Sequence, residues 1–492
     1  MKLKPIMFVG TCSDAGKSIL STAFCRIFRQ DGYTPAPFKA QNMSLNSYCT
    51  PEGGEIGRAQ AVQAEACGIA PHTDMNPVLL KPNSYINSQV IVNGHPIGNM
   101  SAQEYFATHN TSLFPKAIAS FQRLAANYNP IVLEGAGSIS ELNLKDRDIT
   151  NMRMAEEADA ATYLVADIDR GGVFASVYGS IELLPFRERD LIKGIIINKF
   201  RGDINLFKEG REMLQKLTGI PVVGVIPYFT DIQIEQEDSV ALDTKATTAA
   251  QGKINIAILL LKHLSNFTDF DVLEKDKRFH PYYTNDIDEL NKADIIILPG
   301  SKNTLDDMQK LRETGIAEAI IQAAHNGKKI IGICGGYQML GTRIDDPQHI
   351  EGNLENIAGL GLLPLITTLT CEKTTEQRYF KFNNTEENCR GYEIHMGQTT
   401  LLPNTPEQPL NTLENGEKEG YRANENLWGT YMHGILDNTV VRDDLAAGFN
   451  TPDVPAFDYI AFKEQQYDLL AERVREAVDL SYIYASMYPE LY

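Results

Sequence analysis

The segment that most constrains the fold lies near the start of the chain, between a run of apolar residues and a helical pattern. Residues 6–9 are apolar and predict a buried strand, while the apolar spacing over residues 19–28 predicts a helix. Between them lies the sequence GTCSDAGKS at residues 10–18. A glycine-rich loop between a strand and a helix directs backbone N–H groups at phosphate oxygens. The first part of the chain is therefore predicted to bind phosphate groups beside a parallel α/β sheet.

The residue types in this loop suit a nucleoside triphosphate. We expect the phosphates to be surrounded by Gly10, Thr11, Asp14, Ala15, Gly16, Lys17 and Ser18. The Lys17 ammonium group would neutralise the β- and γ-phosphates, and the Ser18 hydroxyl would be a ligand of Mg²⁺. Five residues rather than four separate Gly10 from Gly16, so the loop is longer than the usual G-x-x-x-x-G-K-[ST] motif. The alternative is an ordinary glycine-containing turn, which does not require this lysine and hydroxyl.

Charged side chains follow the apolar runs that would lie beside the loop. Lys39 ends a predicted strand at residues 34–39, and Glu134 ends the apolar run 131–133. Ligands of open α/β sheets bind beyond the carboxyl ends of the strands, so Lys39 would face the transferring phosphoryl group and Glu134 the Mg²⁺ ion. Asp146 or Asp148, on the next polar loop, is a candidate second metal ligand or substrate-orienting group. A solvated lysine and turn-forming aspartates are the alternatives.

A long stretch rich in glycine, proline and asparagine follows, from residue 51 to about residue 110. It is predicted to be an irregular insertion in the sheet, and such insertions usually carry function. We interpret it as the substrate-recognition region, with Arg58 and Lys81 as candidate anion contacts.

Length and composition limit the class of protein. The 492 residues predict two domains, at residues 1–237 and 254–492, joined by a linker at 238–253 that lacks apolar periodicity. A net charge of −19 argues against a nucleic-acid partner. No apolar run is long enough for a membrane span, and the first strand follows too closely on Met1 for a leader, so we expect a cytoplasmic protein. The seven cysteines form no C-x-x-C pair.

One cysteine has an unusual setting. The apolar run 329–333 leads directly into Cys334, Gly335 and Gly336, which predicts a sharp turn from a strand into a helix that exposes the sulfur. The helix N-terminus would lower the pKa of the thiol, and His433 is the candidate base. The candidate oxyanion donors are the backbone N–H groups of Gly300, Ser301 and Gly335. A buried cysteine beside a hydrogen-bonded histidine is the alternative for either residue taken alone.

These motifs together resemble those of a known family. They are residues 10–18, 38–44 (FKAQNMS), 134–138 (EGAGS), 332–338 (GICGGYQ), 391–395 (GYEIH) and 431–434 (YMHG). The chain resembles the glutamine-dependent cobyric acid synthase family of the cobalamin pathway over essentially its whole length. The resemblance implies a dethiobiotin-synthetase-type ATP domain followed by a class I glutaminase domain. It also implies amidation of the b, d, e and g carboxylates of adenosylcobyrinic acid a,c-diamide, with ATP and Mg²⁺ and with ammonia taken from glutamine.

The resemblance also implies roles for individual residues. Cys334 would form a thioester with glutamine while His433 passes a proton to ammonia. Lys17 and Lys39 would stabilise the transferring phosphoryl group, and Ser18 and Glu134 would hold the metal. Asp146 is implied in metal or acyl-phosphate chemistry and Asn198 in adenine contact. Many class I glutaminases carry a glutamate two residues after the histidine, but Ile435 occupies that position here. The sequence therefore predicts at best a dyad.

Two other functions fit parts of the sequence. A sister amidotransferase such as cobyrinic acid a,c-diamide synthase would have the same two domains and another carboxylate substrate. A nucleotide-switched binding protein with an inactive glutaminase module is the alternative from another class, and it predicts loss of the cysteine nucleophile. The partner is expected to be a small corrinoid, with no nucleic acid or membrane. The sequence leaves the oligomeric state open, a homodimer being one option.

Overall fold

The computed structural model describes residues 2–83, 87–237, 242, 245–450 and 457–488. The strands of the first half are β1 (Ile6–Gly10), β2 (Ala36–Phe38), β3 (Gln41–Met43), β4 (Ser47–Cys49), β5 (Glu55–Gly57), β6 (Val78–Pro82), β7 (Asn87–Val92), β8 (His95–Ser101), β9 (Ile131–Glu134), β10 (Ala161–Asp167), β11 (Ile192–Phe200) and β12 (Val222–Pro227). Its helices are α1 (Lys17–Gln30), α2 (Arg58–Cys67), α3 (Ala102–Glu104), α4 (Asn110–Asn127), α5 (Met152–Glu157), α6 (Val173–Glu182), α7 (Phe186–Arg189) and α8 (Lys208–Thr218).

The second half repeats the alternation of strands and helices. Its strands are β13 (Ile254–Leu259), β14 (Leu264–Ser265), β15 (Phe279–Thr284), β16 (Ile295–Leu298), β17 (Gly300–Ser301), β18 (Lys329–Ile333), β19 (Arg343–Asp345), β20 (Asn356–Ala358), β21 (Leu365–Phe382), β22 (Cys389–Leu401), β23 (Asn411–Leu413), β24 (Lys418–Glu419), β25 (Tyr421–Asn424), β26 (Leu427–Thr430) and β27 (Met432–His433). Its helices are α9 (Asp271–Lys275), α10 (Ile287–Lys292), α11 (Thr304–Glu313), α12 (Ile316–His325), α13 (Gly335–Leu340), α14 (Thr439–Ala446), α15 (Tyr459–Ala477) and α16 (Leu480–Met487).

A six-stranded parallel sheet forms the core of the first half, in the order β12-β11-β10-β1-β9-β2. Every residue of β1 is buried, as the continuous apolar run predicted for a strand covered on both faces. The order places β1 between β9 and β10. The phosphate loop after β1 and Glu134 at the end of β9 consequently lie at the same edge, where the carboxyl ends of the strands meet.

The sheet of the second half has the order β15-β13-β16-β18-β26-β25, and its strands are parallel except for the antiparallel edge pair of β25 with β26. Central strand β18 is fully buried and leads into Cys334. A second, largely antiparallel sheet is built around the long pair β21 and β22, and its short strand β27 carries His433. Both halves have the α/β fold expected from the sequence.

The stretch from residue 51 to residue 110 is regular, so the prediction of an irregular insertion was wrong for the part of it that the structure describes. It contains helix α2 and most of a four-stranded sheet, in the order β3-β6-β7-β8. Asn93 and Gly94 have φ angles of 48° and 83° and connect β7 to β8. An Asn-Gly pair with two positive φ angles is the usual tight turn of a β-hairpin, so these residues mark a regular element.

The last two helices return to the first half of the chain. Arg26 on α1 binds Glu464 and Asp468 on α15, at 2.9 and 2.7 Å. The hydrophobic core beneath α1 also includes Leu470 from α15 and Met487 from α16. The division into domains at 1–237 and 254–492 stays a prediction, and residues 238–241, 243 and 244 of the proposed linker lie outside the described residues. Among the described residues, no helix is both long and apolar enough to span a membrane.

Candidate active site

The phosphate loop adopts the backbone that its glycines and Asp14 allow. Asp14 and Gly16 have φ angles of 55° and 99°, and helix α1 begins directly afterwards at Lys17. The Lys17 ammonium group donates to the carbonyl oxygens of Cys12 and Gly137, at 3.0 and 2.9 Å. The lysine is therefore held across the mouth of the loop. These bonds place its charge where the sequence predicts the phosphates to bind.

Glu134 is the centre of a buried polar cluster beside the loop. Its Oε1 accepts hydrogen bonds from the Ser18 hydroxyl and the Lys39 ammonium group, both at 2.8 Å. Its Oε2 accepts one from Gln63 at 2.7 Å. Burial raises the pKa of this carboxyl, but Lys39 and the hydrogen bonds outweigh burial and hold the pKa below its ordinary value. Glu134 is therefore ionised, and it lies next to the residues that were predicted to work with it.

Asn198, at the end of β11, closes the other side of the loop. Its Nδ2 donates to the carbonyl oxygen of Ala15 at 2.9 Å. A Cβ atom on Gly16 would lie 1.9 Å from that Nδ2, so this position has no room for a side chain. Lys199 donates to the carbonyl oxygen of Asp14 at 2.6 Å. The predicted adenine contact of Asn198 stays a prediction, whereas its contact with the loop is direct.

A cleft of about 750 Å³ opens from the phosphate loop. Lys17, Ser18, Lys39 and Glu134 line it, as does Asp148. Asp146, the other candidate on that loop, is exposed and does not line this cleft. Asp148 borders the cleft, but its carboxylate accepts from the backbone N–H groups of Thr150 and Asn151, as a turn-forming aspartate does, so the role of either aspartate stays a prediction.

The two candidate anion contacts of the recognition region are buried and paired. Arg58 forms a salt bridge with Glu235, and the Lys81 ammonium group lies 2.7 Å from Glu55. Each charge therefore has a carboxylate partner within the protein. The sequence could not distinguish an anion contact from a buried ion pair, because the carboxylate partners of Arg58 and Lys81 lie far from them along the chain.

Cys334 lies at the sharp turn that the sequence predicted, but the prediction of an exposed sulfur was wrong, because the residue is buried and its Sγ lies 3.6 Å from the carbonyl oxygen of Ile394. Its φ and ψ angles are 52° and −108°, an unusual conformation for a residue with a side chain, between β18 and α13. A Cβ on Gly336, two residues after Cys334, would lie 1.9 Å from the carbonyl oxygen of Leu298. The small residue lets the helix approach β16 closely, and this packing fixes the strained cysteine between the strand and the helix.

His433 has a carboxylate partner, so the prediction of a dyad was wrong. The Nδ1 atom of His433 lies 2.6 Å from the Asp269 carboxylate, whose other oxygen accepts from the N–H of Gly434 at 3.1 Å. Burial lowers the pKa of the imidazole, but Asp269 and the neighbouring Cys334 outweigh burial and raise it to about 10. The arrangement is thus a triad of Cys334, His433 and Asp269. Ile435, at the position of the missing glutamate, is buried.

The three candidate oxyanion donors lie close to the triad. A Cβ on Gly300 would lie 3.3 Å from Cε1 of His433, and a Cβ on Gly335 would lie 2.8 Å from the backbone nitrogen of Ser301. All three candidates are therefore brought together beside the nucleophile and its base. Their role as donors stays a prediction.

Aromatic residues of β22 and the tyrosine between β26 and β27, Tyr431, frame this site. The Tyr392 ring stacks on His433 with ring centroids 5.4 Å apart. His395 stacks on Tyr431 at 3.7 Å, and Glu393 accepts a hydrogen bond from Arg378 at 2.8 Å. Glu393 and His395, whose roles the sequence left open, therefore support the wall of the site.

Two family models match the chain, one in each half. Residues 6–240 match the CobQ/CobB/MinD/ParA nucleotide binding domain, and residues 255–441 match the CobB/CobQ-like glutamine amidotransferase domain. A cobyric acid synthase of Parabacteroides distasonis is 68% identical over 99% of both chains. One of Bacteroides fragilis is 60% identical over 98% of both. A structure of PurLQS from Thermotoga maritima covers 45% of this chain and 98% of its own, at 18% identity with a TM-score of 0.29. The full-length relatives show that this chain belongs to the cobyric acid synthase family.

Proposed function

We propose that this enzyme amidates the b, d, e and g carboxylates of adenosylcobyrinic acid a,c-diamide, using ATP and ammonia released from glutamine. One observation carries the proposal. A single chain holds a phosphate loop with an ionised carboxylate beside it and, in its other half, a complete Cys334–His433–Asp269 triad. Activation of a carboxylate and release of ammonia are the two half-reactions that this amidation needs.

The triad supplies the ammonia. The Cys334 thiolate attacks the side-chain amide carbon of glutamine, and the C–N bond breaks to leave a thioester. Because Nδ1 of His433 faces Asp269, the other ring nitrogen is the one that protonates the departing ammonia. His433 then takes a proton from water, which attacks the thioester and releases glutamate. A backbone donor among Gly300, Ser301 and Gly335 would stabilise the oxyanion in both steps.

The cleft of the first half activates the carboxylate. A carboxylate oxygen of the corrinoid attacks the γ-phosphorus of ATP, and the bond to the β-phosphate oxygen breaks. The charges of Lys17 and Lys39 stabilise the transferring phosphoryl group. Ammonia then attacks the carbonyl carbon of the acyl phosphate, which loses inorganic phosphate and a proton to give the amide.

The donor set beside the loop fits Mg²⁺. The Ser18 hydroxyl and the Glu134 carboxylate are hard oxygen ligands, and their oxygens lie 2.8 Å apart at the edge of the cleft. Ser18 and Glu134 would hold the ion, which when bound would neutralise charge on the phosphate oxygens. The Lys39 ammonium group binds the same Glu134 oxygen.

We also infer a cytoplasmic location. All seven cysteines are free thiols, five of them buried, which is the pattern of proteins kept in a reducing compartment.

Mass spectrometry of the corrinoid tests the function. The wild-type enzyme is incubated with adenosylcobyrinic acid a,c-diamide, ATP, Mg²⁺ and glutamine, in parallel with Cys334→Ser and with Cys371→Ser as the control. Cys371 is exposed and lies outside the triad. We expect four successive amide-sized mass steps with the wild type and the control. Cys334→Ser should lose them with glutamine and regain them with ammonium.

A different outcome would point to another substrate. If the corrinoid mass stays constant while glutamine is hydrolysed and ATP is consumed, the enzyme is a sister amidotransferase with another acid substrate. If neither glutamine nor ATP is turned over, the proposal fails altogether.

A further inference from the structure

A reciprocal pair of hydrogen bonds joins the two halves of the chain next to the glutaminase triad. The Oδ1 of Asn46 accepts from the backbone N–H of Phe267 at 2.9 Å. The Oδ1 of Asn266 accepts from the backbone N–H of Ser47 at 3.0 Å. Each asparagine thus binds the residue that follows the other one. We call these two bonds the Asn46–Asn266 clamp.

The clamp holds the turn that carries Asp269. Asn266 has a φ angle of 52° and precedes the single 3-10 turn Phe267–Phe270, which closes with a bond from the N–H of Asp269 to the carbonyl oxygen of Asn266. Asp269 therefore lies three residues after Asn266, within a short turn that the clamp holds in place. The carboxylate of this residue is the one that binds His433. A shift of the clamp would move that carboxylate away from the imidazole.

Asn46 is itself fixed from the side of the nucleotide cleft. Its Nδ2 donates to the carbonyl oxygen of Glu237 at 2.6 Å, and the Glu237 side chain lines the cleft. Asn46 is 1% exposed, so its amide is shielded from bulk water. Only an amide of this length offers an acceptor to Phe267 and a donor to Glu237 at once. The whole side chain is thereby held in one orientation.

We propose that Asn46, a residue of the nucleotide-binding half, is a positioning residue for the glutaminase reaction and acts by holding the Asp269 turn against His433. The inference rests on the proposed function, because it needs the triad to hydrolyse glutamine. Asn46 does not touch the reacting atoms. Its effect is therefore on kcat and not on the binding of glutamine.

The test is a double-mutant cycle on glutamine hydrolysis. Asn46→Ala removes both bonds of the amide, and we expect kcat to fall by about tenfold with an unchanged KM for glutamine. In the Asp269→Asn background, Asn46→Ala should cause no further loss, because the residue acts through Asp269 alone. If Asn46 only stabilised the fold, the losses in kcat of the two single variants would multiply in the double variant.

Two further variants separate the clamp from the stability of the interface. Asn266→Gly removes the other half of the clamp without opposing the positive φ angle, and it should match Asn46→Ala. Gln377→Ala is the matched control, because the Gln377 amide also crosses between the halves, to the carbonyl oxygen of Cys49, but does not reach the Asp269 turn. We expect it to leave kcat unchanged. Amidation with ammonium should be normal in all three, which shows that they fold.

The outcomes distinguish this inference from the proposed function. If the wild type hydrolyses glutamine and both clamp variants keep its kcat, or if the losses of Asn46→Ala and Asp269→Asn multiply, the inference is wrong. If the wild type does not hydrolyse glutamine, the proposed function fails first.

Discussion

Replacing Asp269 by asparagine tests the triad most directly, because the change removes one charge and keeps the shape. The pKa of His433 rises from its ordinary 6.5 to about 10 in the folded enzyme, which corresponds to about 5 kcal/mol of preference for the protonated ring. Asp269 and Cys334 share this preference. If the Asp269 carboxylate supplies about half of this preference, Asp269→Asn loses about 2–3 kcal/mol of stabilisation of the imidazolium. The expected fall in kcat is then about 100-fold.

The pH profile gives the sign of the effect. In the wild type the His433 imidazolium beside Cys334 persists through neutral pH and is lost as the pH rises through about 10. Without the Asp269 charge the pKa of His433 falls. The alkaline limb of the kcat profile should therefore move to lower pH in Asp269→Asn.

The assay is glutamate release from glutamine across the pH range, at saturating glutamine. Asp271→Asn is the control, since Asp271 is also buried, two residues along the chain, and pairs with Lys245 at 2.8 Å instead of with a histidine. We expect its alkaline limb to coincide with that of the wild type. An Asp269→Asn enzyme with wild-type kcat and an unmoved alkaline limb would refute the assignment of the triad.

Three further predictions concern the rest of the molecule. Gly16→Ala places a Cβ 1.9 Å from the Asn198 amide at a positive φ angle, so nucleotide binding measured by calorimetry should be lost. Gly219→Ala is the control, because Gly219 also has a positive φ angle but open space around it. This variant should bind nucleotide normally, and its free energy of unfolding should fall by about 1 kcal/mol. Glu55→Gln leaves two buried lysines without their carboxylate and should cost about 3–5 kcal/mol in denaturant unfolding. Lysine charges outweigh burial and lower the pKa of Glu55, so its contribution is present at neutral pH and is lost as the pH falls below the ordinary carboxyl range. Leu470→Ala should lower the free energy of unfolding by about 2–5 kcal/mol. It should speed hydrogen exchange in residues 17–30 but not in residues 254–259, and the opposite pattern would contradict the packing of α15 on the first half.

Local patterns in the sequence predicted the strand edges and the residues on them. The runs before Gly10, Glu134 and Cys334 are strands, and within each of the two sheets parallel pairing brings the carboxyl ends of the strands to one edge. The nucleophile and its base lie close to buried strands for the same reason: Cys334 follows β18 directly, and His433 comes three residues after the end of β26. The signal in these places is contained within about ten residues of the chain.

Asp269 could not be found in this way. It lies 164 residues before His433, on a short 3-10 turn with no catalytic motif around it. The spacing of other glutaminases predicts the third member two residues after His433, where this chain has Ile435. The glycines and asparagines of residues 51–110 are typical of irregular loops, but Asn93 and Gly94 form a hairpin turn, which an Asn-Gly pair also predicts. Asp269 reaches His433 only through a tertiary contact, whereas the hairpin turn is marked by two adjacent residues.

The position of the orienting carboxylate has a chemical consequence. A glutamate two residues after His433 would belong wholly to the glutaminase half, and the triad would be complete whether or not the other half were docked. Asp269 instead lies on a turn whose neighbours Asn266 and Phe267 are bonded to the nucleotide-binding half. Glutamine hydrolysis without an acceptor wastes glutamine and releases ammonia. Because the base is oriented from a turn at the boundary, the geometry that makes ammonia depends on the contact with the half that consumes it.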